Sequence, residues 1–164
     1  MILWRADMFI EGAKETMDGI RLKRLIKELQ NFKVEVGYNE DSGSYPAEEG
    51  DESITLANVA AWNEFGSERS PARPFMKQTV RDYKDQITKH ANKALKKAIN
   101  GGGAKEALNS IGAYTKGRMQ KEIRDGDFAP NAPYTIAKKG SDKPLIDTGR
   151  MRQNIVYVIK EKGT

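Results

Sequence analysis

The sequence predicts an α+β fold: a small antiparallel sheet packed against a long helix pair, in a single domain (1–164) with long loops. Three observations carry the prediction. An apolar stripe stepping by three and four residues runs from Met76 to Ala98, and a second begins after the triple glycine at 101–103. Two distant segments, "FKVEVGY" and "NIVYVIKE", have strand length and strand composition. Proline, glycine and serine gather in two long stretches, 39–53 and 125–149.

Composition narrows the class. A chain of 164 residues can bury a core without covalent staples, and this one has no cysteine to make them. That excludes disulfides, thiolate metal sites and cysteine nucleophiles, and it suits a reducing compartment. The charged fraction of 31% leaves a large solvated or partner-facing surface. No apolar run approaches the ~20 residues of a membrane span, so no membrane partner is expected. The opening "MILWRADMF" is broken by Arg5 and Asp7 and has no cleavage-site pattern, so it does not read as a signal peptide. Net charge is +5, and the placement of that small excess matters more than its sum.

The elements follow in order. Leu22, Leu25, Ile26 and Leu29 recur at helical spacing and predict a helix over about residues 18–31. "FKVEVGY" puts Phe32, Val34 and Val36 on one side of a strand that Gly37 ends. Residues 39–53 hold Glu40, Asp41, Glu48, Glu49, Asp51 and Glu52 and no basic residue. They read as a mobile acidic loop, either a solvated connector or an arm that docks on a neighbour's basic surface. Leu56, Val59, Ala60 and Phe65 predict a short helix over about 54–65, with Ser53 or Thr55 as cap and Gly66 as a left-handed stop.

The two long helices are expected over about 75–100 and 104–124, packed as an antiparallel pair or separated at a glycine hinge. Residues 125–149 read mostly as loop. Thr135 caps a single turn there, and Asp147 or Thr148 caps another over about 149–153. The final strand has Ile155, Tyr157 and Ile159 on one face and Val156 and Val158 on the other. A strand apolar on both faces is covered on both sides, or becomes so on assembly. It is expected to join the strand at 32–38 in one sheet, with the helices on one face.

Little in the sequence carries catalytic chemistry. His90 stands alone next to Lys89, with no second ligand type at ligand spacing, so no metal is expected. No G-x-S-x-G, phosphate loop or dinucleotide fingerprint is present, and no cofactor is expected. Asp125, Asp127, Asp142 and Asp147 give no reason to pair any two as acid and base. An enzyme is disfavoured. The lysine-rich helix, with Lys77, Arg81 and Lys84 on one side of its stripe and Lys89, Lys93, Lys96 and Lys97 round toward the other, admits three readings. It is a solvated face, a contact for an acidic subunit surface, or a phosphate contact to nucleic acid without base readout.

Two blocks carry a resemblance. "LANVAAWNEFGSERSPARPFMKQTV" (56–80) has Asn63, Glu64, Phe65 and Gly66, then Pro71, Arg73, Pro74 and Phe75. "IGAYTKGRMQKEIRDGDFAPNAPYTIAKKGSDKPLIDTGRMRQNIVYVI" (111–159) has Pro133, Thr135, Lys139, Gly140, Pro144, Leu145, Asp147, Thr148, Gly149 and Arg152. Together, over about 54–159, these resemble the neck, head–tail joining and tail-completion proteins of tailed bacteriophages, including the virion morphogenesis and minor tail proteins.

The resemblance implies a non-enzymatic structural protein that forms a ring, most often a homohexamer, at the head–tail junction. As neck, tail-completion or tail-terminator protein it would join the tail to the capsid connector and line the DNA passage. Its partners would be itself, the portal–adaptor proteins, the tail tube or terminator, and double-stranded DNA read without sequence specificity. Its place would be the virion, and the host cytoplasm during assembly. Subunit-interface candidates are Glu64, Phe65, Arg73, Phe75, Asp147, Arg150 and Arg152. Candidates for the DNA channel or an acidic partner are Lys89, Lys93, Lys96 and Lys97. Phe65 and Phe75 are expected to pin the two helix ends to the core, leaving Arg73 free to pair with Glu64 or a neighbour's acidic loop. Competing readings are a basic nucleic-acid-binding module and an assembly chaperone absent from the finished particle.

Overall fold

Periodicity in the sequence becomes structure with little displacement. In the computed structural model, which describes residues 2–4, 19–46 and 52–162, the leucine-spaced segment forms α1 (Gly19–Asn31). Leu25 and Leu29, one turn apart, are its buried residues. Strand β2 (Phe32–Gly37) follows without a loop. It is the central strand of a three-stranded sheet, between β1 (Ile2–Trp4) and β5 (Val156–Glu161). The expected partnership of β2 and the C-terminal strand therefore holds, and β1 is an addition. β1 runs antiparallel to β2 with Ile2 opposite Val36 and Trp4 opposite Val34.

Downstream of β2, the stretch expected as loop contains structure. A 3-10 turn (Glu40–Ser42) leads into a two-stranded antiparallel ladder, β3 (Ser44–Tyr45) with β4 (Ile54–Thr55). Of the expected acidic loop, Glu48, Glu49 and Asp51 lie outside the described residues. Helix α2 (Leu56–Phe65) starts on the Thr55 cap, whose Oγ1 accepts from the Asn58 N–H at 3.1 Å. Helices α3 (Phe75–Lys97) and α4 (Ala104–Asp125) follow, then α5 (Pro133–Lys139) and α6 (Arg150–Gln153). The fold is α+β. No helix among the described residues is long and apolar enough to cross a membrane.

The chain divides into two compact units, Met1–Val36 with Tyr83–Lys116 and Tyr157–Thr164, and Gly37–Asp82 with Gly117–Val156. In the first, α3 and α4 are antiparallel. Lys97 pairs with Glu106 at 2.7 Å, while a turn or two away His90 stacks on Tyr114 (centroids 4.0 Å, 8° between planes) and meets Ser110 at 3.0 Å. Between the helices the backbone makes a single π turn (Ala98–Gly102), and Gly101 and Gly103 sit at φ 124° and 82°. Side-chain-bearing residues avoid those angles, so the triple glycine makes a tight reversal. Ile87, Ala91, Leu95, Leu108 and Ile111 are buried here. Gly112 admits the Tyr157 ring, since a Cβ there would lie 2.4 Å from it.

On β2 the alternation is broken at Glu35, which is buried beside Val34 and Val36. It is kept charged by Lys160 at 2.9 Å and Lys33 at 3.0 Å. The Lys160 hydrogen bond is the largest influence. With the help of Lys33 it overcomes the opposing effect of burial and holds the Glu35 carboxyl below the ordinary carboxylate range. A depressed folded pKa means that the ionised pair stabilises the fold fully above the unfolded value of about 4.3. That stabilisation fades as pH falls through the lower folded value. Glu35→Gln should therefore give a shallower acid limb in urea titrations run between about pH 5 and pH 2. Parallel acid limbs for the two proteins would disprove it.

The second unit has its own core of Tyr38, Leu56, Ala60, Phe75, Met119, Ile123, Met151 and Ile155. The Tyr38 hydroxyl donates to the Met151 carbonyl at 2.7 Å, and its ring meets Phe75 edge-on, 6.2 Å between centroids. Burial pushes the Tyr38 phenol far above its usual range, so it stays a neutral donor.

Candidate interaction surfaces

The turn between α2 and α3 is built from inside the second unit. Gly66 ends α2 at φ 80°, and a Cβ there would stand 2.9 Å from the Ala72 nitrogen. Both the angle and the close approach call for glycine. Ser67 and Ser70 form a bridge across the turn. Glu64 then closes it from the α2 side, with Oε2 accepting from the Met76 N–H at 2.8 Å and Oε1 from the Lys77 N–H at 3.0 Å. A carboxylate from the preceding helix thus satisfies two open donors at the positive end of α3. Glu64→Ala should cost about 1–2 kcal/mol, the range of a strong N-cap. An unchanged melting temperature would refute that role.

Arg73 is likewise committed internally. It is 7% exposed; Nε donates to the Ala129 carbonyl at 2.8 Å, and Nη2 to the Pro130 carbonyl at 2.9 Å and Asn131 Oδ1 at 3.3 Å. The expectation of a free Arg73 is corrected: it does not pair with Glu64, and its Nε and Nη2 are spent inside the unit, which leaves Nη1 without an acceptor among the described residues. Both residues are used within the unit, Glu64 on backbone donors and Arg73 on backbone acceptors. The paired-anchor expectation also divides. Phe75 is 0% exposed and is a core residue, whereas Phe65 is 82% exposed and pins nothing. Trp62, on the same exposed side of α2, is half-exposed.

The second signature block surrounds a cavity in the same unit. The cavity measures about 430 Å³, with Val59, Leu145, Ile146 and Met151 on its apolar side. Arg73, Lys138 and Lys139 supply cations, and Asp147 is the acidic residue among the lining. Helix α5 starts with Pro133 at its first turn and ends on Gly140 in the left-handed region. Its existence corrects the expected loop with a cap at Thr135, which lies inside the helix. Lys139 Nζ donates to the Lys143 carbonyl. Burial lowers the Lys139 pKa, Asp147 opposes the shift, and Arg73 adds to it. Lys138 and Lys139 were not among the expected site residues; the adjacent lysines in a Pro- and Gly-rich stretch were the available signal.

Of the remaining candidates, Asp147 and Arg150 are exposed. Arg150 Nη1 donates to the Ser44 carbonyl at 3.1 Å, and its guanidinium stands 6.0 Å from the Tyr45 ring centroid. Arg152 is half-buried; its carbonyl accepts from Gln120 Nε2 at 3.1 Å, and its buried Nε has no acceptor among the described residues.

The lysine candidates lie in the first unit. Lys89, Lys93 and Lys96 are exposed on one face of α3 at i, i+4 and i+7, with Asp85, Thr88 and Asn92 beside them. Among the described residues no ion pair reaches those three lysines. Lys97 differs, since Glu106 pairs with it across the helix hairpin. The first unit holds sixteen Lys and Arg against nine Asp and Glu, and the second twelve against fourteen. The chain's positive excess therefore belongs to the first unit.

These features define an α+β protein with a basic helical face on one unit and a cation-lined cavity on the other. No protein-family model, no curated protein and no solved structure matches the chain.

Proposed function

We propose that this chain is a structural subunit of a tailed-phage virion, forming a ring at the head–tail junction that joins the tail to the capsid connector. One observation carries the reading. The two sequence blocks that resemble neck and tail-completion proteins meet in a single bonded frame. Arg73 of the first block ties the 129–131 loop of the second, and Asn131 holds the carbonyls of Asp142 and Lys143 at 3.1 and 3.2 Å. The frame spends Arg73 and Asn131 internally and leaves Trp62 and Phe65 exposed for neighbours.

The partners under this reading are further copies of the chain, six in a closed ring, with the portal–adaptor complex on one side and the tail tube or terminator on the other. The chain acts without catalysis. Mass spectrometry and electron microscopy of purified virions test the reading. The expected result is density for a ring at the junction, and loss of the gene should leave unjoined heads and tails. A protein absent from purified particles overturns it and favours an assembly chaperone.

The row Lys89, Lys93 and Lys96, which no ion pair reaches among the described residues, favours a second, compatible activity, contact with the phosphates of passing or bound DNA. Such contact releases counterions, so affinity falls steeply with salt. The triple alanine variant should lower the slope of log affinity against log salt by about 3 and weaken all sequences alike. An unchanged slope removes this activity.

A further inference from the structure

We propose that the cavity of the second unit docks a carboxylate-bearing peptide segment, and that the segment is the acidic run 48–52 of a second copy of this chain. The cavity combines an apolar side with cations whose hydrogen-bonding capacity is not exhausted. Arg73 spends Nε and Nη2 on the 129–131 loop, which leaves Nη1 without an acceptor among the described residues. Lys139 spends one of its three donors on the Lys143 carbonyl, and the exposed Lys138 lies beside it in sequence. Against these three cations the lining offers Asp147 alone. A carboxylate entering there meets fixed donors.

A second observation is independent of charge. Leu145, on the cavity wall, is the non-glycine residue held at positive φ, 59°, among the described residues. It sits in a three-residue turn closed by the Ile146 N–H donating to the Pro144 carbonyl at 2.7 Å. A leucine held there is strained, and such strain is typical of binding sites whose wall must keep one shape. Burial and the nearby Arg73 also disfavour the Lys139 charge, which an arriving carboxylate would relieve.

The occupant follows from complementarity. Glu48, Glu49, Asp51 and Glu52 fall within five residues, and no basic residue occurs between 39 and 53. The ladder of Ser44 with Thr55 and Tyr45 with Ile54 closes the base of this arm. That the donor is a second copy rests on the ring reading above.

The test uses the full chain and a blocked peptide of residues 46–53, followed by NMR at low salt. The expected result is saturable binding that shifts Leu145, Ile146 and Met151 resonances. Lys138→Ala with Lys139→Ala should weaken it at least about tenfold. The peptide with Gln and Asn in place of its acids should not bind. If the double variant melts early, Lys138→Glu, on an exposed side chain, must show the same loss. No saturable shift, equal binding of the neutral peptide, or binding of inorganic phosphate but not peptide overturns the proposal.

The donor is then identified by mixing a chain whose acidic run is neutralised with a chain carrying Lys138→Glu and Lys139→Glu. Mixed pairs by sedimentation support a second copy; none, with peptide binding intact, overturns that assignment. Absence of the protein from virions removes the ring reading and leaves the peptide result standing. A ring in virions with no peptide binding removes this inference alone.

Discussion

Arg73→Ala is expected to damage folding directly, with any loss of assembly following from it. The side chain is buried, and two carbonyls and one side-chain amide of the 129–131 loop depend on it. Truncation leaves those acceptors with partial access to water and opens a hole under the loop. A buried acceptor stripped of its partner costs about 1–3 kcal/mol. Partial resolvation brings the sum to about 2–4 kcal/mol. For a chain of this size that lowers the melting temperature by roughly 5–15 °C. Arg73→Lys should recover little, because one ammonium cannot reproduce the fork that serves acceptors on three successive residues. The measurement is thermal and urea denaturation of both variants beside the parent. A variant that melts like the parent but fails to assemble would contradict the internal tie and restore Arg73 as a docking residue.

Phe75→Ala is expected to be costlier still. Phe75 opens α3, has no exposed surface, and meets the edge of Tyr38. Losing a buried phenylalanine removes its transfer free energy and leaves a cavity, together about 3–5 kcal/mol. Because Tyr38 is also hydrogen-bonded to Met151, the damage should spread to the start of α6. A double-mutant cycle on Tyr38 and Phe75 should return a coupling of about 0.5–1.5 kcal/mol for the ring pair. Phe65→Ala, ten residues earlier and exposed, should change stability by less than about 0.5 kcal/mol. Equal losses at the two phenylalanines would disprove the burial assignment.

Helices α1, α2, α3 and α4 and strand β2 were legible because each carries its own period, and β5 because it is a short apolar run rich in β-branched residues; most ends were read within a residue or two. The missed elements lack such a signal. Strand β1 is three residues long and exists because β2 has an edge to pair with. The β3–β4 ladder has two residues a side, too few for alternation to show. Helix α5 buries no residue, so it has no apolar stripe; its proline start and glycine stop were present but outweighed by the surrounding loop composition. Of the candidate site residues, the lysine row was legible as a row, but the removal of Lys97 from it by Glu106 was not.

What the sequence determined by itself was local: the class, the two long helices, the break between them at three glycines, and a lysine-rich α3. These depend on residues two to four positions apart, or on glycine's freedom at positive φ, and need no distant partner. Reversal rather than a hinge at those glycines was settled by the folded chain. The tertiary structure alone decided which side chains are spent and which remain available. Phe65 and Phe75 are the same residue type on either side of one turn, with opposite burial. Arg73 looked like a free cation until its acceptors were located 56 to 58 residues away in the chain. A guanidinium needs acceptors, and their position is a property of the folded backbone that no spacing in the sequence encodes.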